Sequence, residues 1–293
     1  YNMSRNEQRT GLGVDQAPSP QDSEFPAPGA AGSSETAFHW SSPVEVVSLP
    51  SGGRFYHPQH PLHNCETVEI RYMTAKEEDL LTSPSLIKAG LAVDRMLENL
   101  IEDKRIMLNS LLLGDKNALI VASRVTGYGP EYTTNVTCPS CSTISQHTFD
   151  LEEGRVNDFD AALEEYGASL DENNNLQVTL PFSGVTVACR FLTGQDEIED
   201  FKRNKKKSKA NQGTSSLTDL FNQILVSVNG STTPEDIVGF SKNMPARDSI
   251  YLRGFYSAAT PNLDLSQHFE CSECGHIADV EVPLTVDFLW PKR

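Results

Sequence analysis

Apolar and polar positions alternate or recur along most of this chain with periods that name its elements. Val44-Glu45-Val46-Val47-Ser48 reads as a strand closed by the Pro50/Gly52-Gly53 turn, and Glu66 to Met73 alternates as a half-buried strand. Thr74 and Glu77 have the spacing of a capping box and open a helix running through Leu81. Ser83-Pro84 is a helix start with proline in the first turn. The helix after it carries Leu86, Ile87, Leu91, Val93, Leu97, Leu100 and Ile101 on one broad apolar stripe. Residues 106–113 and 115–125 read as two further helices divided at Gly114-Asp115, before a Gly127-Tyr128-Gly129-Pro130 turn. Farther on, Phe159 to Tyr166 is a short helix, and Asp171 to Asn175 a turn.

The pattern then returns. Leu180-Pro181-Phe182-Ser183-Gly184 echoes Leu49-Pro50-Ser51-Gly52, and Thr186 to Thr193 repeats Thr67 to Thr74 at an offset of 119, carrying Asp196 onto Glu77 and Glu197 onto Glu78. At an offset of 133, Asp248, Leu252, Cys271, Cys274, Ile277 and Leu284 fall on Asp115, Leu119, Cys138, Cys141, Ile144 and Leu151. Lys202 to Lys209, rich in lysine, is read as the flexible loop that absorbs the difference between the two offsets. The expected fold is therefore α+β and duplicated, each copy being strand, helices and a C-x-x-C hairpin. The boundaries are an extended arm over 1–42, a first repeat over 43–152, an acidic connector over 153–178 and a second repeat over 179–293. The arm is rich in Gly, Ser, Pro, Gln and Asn, too polar to order itself without a partner.

Composition narrows the function. The 293 residues have 38% apolar content, a mean hydropathy of −0.38, a net charge of −16 and a pI near 4.8. That charge opposes phosphate binding, so nucleic acid is not an expected partner. No run approaches the roughly 18 apolar residues of a membrane span, so no membrane partner is expected either. No signal-like apolar stretch opens the chain. Because it starts at Tyr1 rather than a methionine, a removed leader stays open.

The chemistry lies in the cysteines. Cys138-Pro139-Ser140-Cys141 and Cys271-Ser272-Glu273-Cys274 each follow strand-like residues, with 129 residues between Cys141 and Cys271. One C-x-x-C turn supplies two thiolates, half of a tetrahedral zinc site. If each repeat carries half, Cys138, Cys141, Cys271 and Cys274 close one structural Zn²⁺ site between the copies. Two separate sites recruiting His147 or His276 are an alternative, and a redox C-x-x-C another, although redox pairs sit at helix N-termini rather than in hairpins. Cys189 aligns with Ile70 and is a core strand residue, while Cys65 is a free thiol. His57, His60 and His63 share a proline-rich loop without a carboxylate, expected to be solvated or to touch a partner. Arg71 and Arg190 close equivalent strands and are expected to pair with Glu78 and Glu197. No catalytic signature is present: no P-loop, no G-x-S-x-G, no H-E-x-x-H and no dinucleotide fingerprint.

The order Leu49-Pro50-Ser51-Gly52, a strand ending in Arg71, Thr74-Ala75-Lys76-Glu77-Glu78, a long helix, Asp115, Tyr128-Gly129 and Cys138-Pro139-Ser140-Cys141 resembles the baseplate hub and hub-assembly proteins of T-even-type contractile-tailed bacteriophages, over about residues 44–290. The arm and the lysine-rich segment depart from it. The resemblance implies a non-enzymatic structural or assembly role in the virion's tail baseplate, built in the host cytoplasm. Its partners would be other tail proteins, met through the arm and the helical faces. A cellular zinc-ribbon adaptor in transcription or replication is the alternative, against which stand the acidic neighbours Asp150, Glu270, Glu273, Asp279 and Glu281.

Overall fold

Alternation produces the first ribbon: β1 (Val44–Ser48) pairs antiparallel with β2 (Thr67–Arg71), so that Val47, Val68 and Ile70 point into the core while Val44 and Val46 face out. The computed structural model describes residues 42–209, 217–284 and 286–289; for 207–209 and 286–287 it describes the backbone alone. The expected arm over 1–42 thus lies outside the described residues, Ser42 excepted.

After β2 come α1 (Ala75–Thr82), α2 (Pro84–Ala89) and α3 (Ala92–Leu100). The long helix expected from Pro84 onward is two helices, because Gly90 takes a left-handed conformation (φ 73°) and ends α2. Glycine is needed there twice over, since the Phe201 ring occupies the place of a β-carbon. The apolar stripe is consequently buried only along α3, where Met96, Leu97 and Leu100 have no exposed surface. A single 3₁₀ turn, Leu108–Ser110, stands where the helix over 106–113 was expected. α4 (Leu113–Tyr128) then starts one residue before Gly114-Asp115, which lie in its first turn rather than between two helices. Gly114 permits close contact with the backbone of Pro261, so it serves packing rather than a turn.

The first hairpin is β3 (Glu131–Thr137) with β4 (Ile144–Asp150). Residues 153–178 hold β5 (Arg155–Val156), α5 (Phe159–Tyr166), β6 (Ser169–Leu170) and most of β7 (Leu176–Thr179). Asp158 caps α5 by accepting from the Ala161 amide, and Asp171 closes the following turn by accepting from the amides of Asn173 and Asn175. β8 (Thr186–Cys189) joins β7, and α6 (Gly194–Lys209) follows. The lysine-rich segment is therefore the C-terminal half of a helix, not a loop. Lysines are good helix formers, and the macrodipole favours them at this end as it favours Asp196 and Glu197 at the other. Residues 210–216, which follow, lie outside the described residues.

α7 (Leu217–Ile224) and β9 (Leu225–Val228) complete an antiparallel sheet of order β6-β7-β8-β9. α8 (Pro234–Asn243) and α9 (Ala246–Ala259) precede β10 (Leu263–Asp264), which pairs with β5. The second hairpin, β11 (Ser266–Glu270) with β12 (Ile277–Glu281), follows. Buried apolar residues from both halves, from Val47 to Leu289, form one continuous core. No helix among the described residues is long and apolar enough to cross a membrane.

Two contacts recur in both halves. Asp115, in the first turn of α4, accepts from the Ser51 amide (2.9 Å), the Ser51 hydroxyl (2.6 Å) and the Tyr56 hydroxyl (2.7 Å). Asp248, in the first turn of α9, accepts from the amides of Phe182 and Ser183 at 3.0 Å. The arginines differ from expectation by one residue: Arg71 meets Glu77 (3.5 Å) and Arg190 meets Asp196 (2.5 Å). The third helical residue reaches back over the cap, where the strand-ending arginine lies. Glu78 instead accepts from the Tyr128 hydroxyl, and Glu197 pairs with Lys116.

Candidate metal centre

Each C-x-x-C is the tip of a hairpin, and the backbone makes the same turn twice. The Cys138 amide donates to the Thr143 carbonyl and the Ser142 amide to the Cys138 carbonyl; in the second hairpin Cys271 donates to His276 and Gly275 to Cys271. The residue after the second cysteine is left-handed in both, Ser142 at φ 61° and Gly275 at φ 65°. This turn directs both sulfurs of a tip to one side. Behind the tips, Phe149 and Phe269 are buried, and His147 packs edge-on against both rings. Gln267 clamps the hairpins together, accepting from the Asp150 amide (3.0 Å) and donating to the Asp150 carbonyl.

The result is a cluster of four sulfurs. Cys138 lies 3.8 Å from Cys274 and Cys141 lies 3.7 Å from Cys271, with all four Sγ atoms within 4.8 Å of one another. Zinc–sulfur bonds of about 2.3 Å in a tetrahedron set the sulfur–sulfur edge at about 3.8 Å, so the cluster has the dimensions of a four-thiolate site. Cys138 and Cys271 are buried, Cys141 and Cys274 exposed. The Thr143 hydroxyl and amide draw the Cys141 thiol down to about 6. The His276 backbone draws Cys274 down too, but sharing a proton with Cys141 and its neighbours holds it up at about 12. Sulfurs this close cannot all ionise unless a cation joins them.

Neither His147 nor His276 belongs to the cluster, which is all sulfur. The other cysteines stay apart: Cys189 is fully buried on β8, where burial pushes its thiol up to about 12, and the Cys65 thiol donates to the Pro61 carbonyl. The histidine loop, expected to be solvated or to touch a partner, is solvated only in part: His57 is exposed, while the other two histidines are held by the fold. His60 stacks on Tyr56 at 4.4 Å and bonds the Ser110 hydroxyl at 2.8 Å, and His63 bonds the Tyr56 carbonyl. These bonds tie it to the buried Tyr56–Asp115 pair.

One charged group has no signal in the sequence. Lys116 on α4 is buried between Asp94 of α3 (2.5 Å) and Glu197 of α6 (2.6 Å). Despite burial, these two carboxylates hold its ammonium above the usual lysine range. Nothing in its flanking residues distinguishes it from a surface lysine.

A model of the family described as T4 bacteriophage base plate protein matches residues 43–290. No curated protein and no solved structure matches the chain.

Proposed function

The chain belongs to the T4 bacteriophage base plate protein family, and from that premise we propose that it is a non-enzymatic structural component or assembly factor of a contractile-tail baseplate hub, stapled internally by one zinc ion. The family match over 43–290 carries the baseplate part of this reading. The four-sulfur cluster of Cys138, Cys141, Cys271 and Cys274 supports the metal part: an all-thiolate tetrahedron suits zinc and leaves no open position for a substrate. Bound there, zinc would supply folding free energy rather than chemistry. Partners are neighbouring tail proteins, reached through the arm and the helical faces, and the place of action is the virion tail.

We also read the chain as an internal duplication. In its favour stand the paired aspartates Asp115 and Asp248 holding equivalent turns, and the strand-ending arginines Arg71 and Arg190 on equivalent cap carboxylates. The two tips with matching left-handed residues add to it. In this reading the metal joins copy to copy, and each copy brings two ligands.

Metal analysis of the purified chain is expected to find about one zinc per chain, with Cys138→Ser and Cys271→Ser losing it equally. Two zincs or none would sink the shared site. The baseplate role predicts that the chain co-purifies with tail proteins and that its loss stops tail assembly before the baseplate is complete. Complete baseplates formed without it would overturn that role while leaving the metal site standing.

A further inference from the structure

A cleft of about 560 Å³ opens between α2–α3, α4 and α6. Its walls are largely apolar: Leu91, Val93 and Ile120 line it, with Phe288 from the C-terminal 3₁₀ turn. Two large apolar side chains stand at its mouth half in solvent, Phe201 at 42% and Leu284 at 40% exposure. The carboxylates inside it, Asp94 and Glu197, share the single Lys116 ammonium between them, so the three groups together keep one negative charge. At the lip stand Lys202 and Lys205, both exposed. The Lys205 ammonium donates to the Lys88 carbonyl (3.1 Å) and lies 5.6 Å from the centre of the Phe201 ring. In a chain of net charge −16, the cleft is apolar within and cationic at its edge.

We propose that this cleft is a docking site for an acidic amphipathic segment of a neighbouring protein. Apolar side chains of the segment enter between Leu91, Ile120 and Phe201, and its carboxylates meet Lys202 and Lys205. An amphipathic helix presents this combination: apolar anchors at i, i+3/i+4 and i+7 with carboxylates flanking them. Charge complementarity selects the sign: Asp94, Lys116 and Glu197 together carry −1, Lys202 and Lys205 carry +2, and the excess positive charge stands exposed at the lip, where a basic segment would be repelled. The inference goes beyond the baseplate reading and stands apart from it, since only the chemistry of the cleft carries it.

The test uses the full chain and a labelled helical peptide of about five turns, with leucine and phenylalanine on one face and glutamate on the other. Two controls accompany it: the same peptide with lysine for glutamate, and a single-stranded oligothymidylate. Binding is read by fluorescence anisotropy, and the site by protection of α2 and α6 amides from hydrogen exchange. The acidic peptide is expected to bind with protection at those helices, more weakly as salt rises. The K202E/K205E variant, both sites being exposed, should fold with unchanged far-ultraviolet circular dichroism at the assay temperature, lose the acidic peptide by about tenfold or more and prefer the basic one. Leu284→Asp should weaken the acidic peptide without reversing the preference. No binding of the acidic peptide, equal binding of the basic peptide or the oligonucleotide, unchanged affinity in K202E/K205E, or protection elsewhere would each overturn the proposal.

Discussion

Single side chains decide where the two halves are tied down. Asp115 satisfies three buried donors at once, whereas Asp248 satisfies two backbone amides at a partly buried turn. Removing an acceptor from buried donors costs more than the bonds themselves, because the donors are left dry. Asp115→Ala should therefore destabilise by about 3 kcal/mol or more, and Asp248→Ala by about 2 kcal/mol, measured by urea unfolding. The position of both aspartates is legible in the sequence as an offset match. Their partners are not, since Ser51 and Tyr56 lie more than fifty residues from Asp115.

Elements begin where local chemistry starts them. Glu77 and Asp196 occupy the same place in the first turns of α1 and α6, each accepting from the threonine that precedes its helix. Burial opposes their ionisation, but hydrogen bonds outweigh it: from Thr74 with the Arg71 charge for Glu77, and from Arg190 and Thr193 for Asp196. Both carboxyls end below their ordinary values. A depressed folded value means stability that is present above about pH 4 and lost as pH falls through the folded values. Arg190→Met is accordingly expected to flatten the acid limb of a stability–pH curve below about pH 4, followed by urea midpoints. An unchanged limb would show that Asp196 owes little to Arg190. Asp115 works in the opposite sense, since burial outweighs its hydrogen bonds and raises it, so its contribution falls as pH rises.

At the scale of the molecule, the hairpin tips come together across a separation of 130 residues or more. Beneath them β5 pairs with β10 and Gln267 clamps Asp150, so the polypeptide already holds the tips near one another. The metal in the proposed site then adds stability without creating the fold. Stripping it with a strong chelator is expected to lower the thermal midpoint by about 6 °C, a loss of about 4 kcal/mol for a chain this long, with helical circular dichroism retained below the transition. Cys189→Ala should leave that chelator response intact, because its sulfur lies outside the cluster. An identical midpoint with and without chelator would remove the staple from this account.

The sequence by itself determined what depends on near neighbours. The alternation of β1 and β2, the capping box of α1, the proline start of α2, the Phe159–Tyr166 helix and the hairpin placement of both C-x-x-C turns each rest on residues a few positions apart. Tertiary structure decided whatever depends on distant ones. Phe201 packs against Gly90 where the expected long helix ends, and the close approach of the Pro261 backbone occupies the space that a side chain at position 114 would need. Asp94 and Glu197 bury Lys116, and Tyr56 draws the histidine loop inward. The lysine-rich segment is helical for local reasons, propensity and the helix dipole, that its charge run obscured. The sulfurs belong to both levels: local turns aim them in pairs, and only the packing of hairpin on hairpin brings the pairs within one coordination shell.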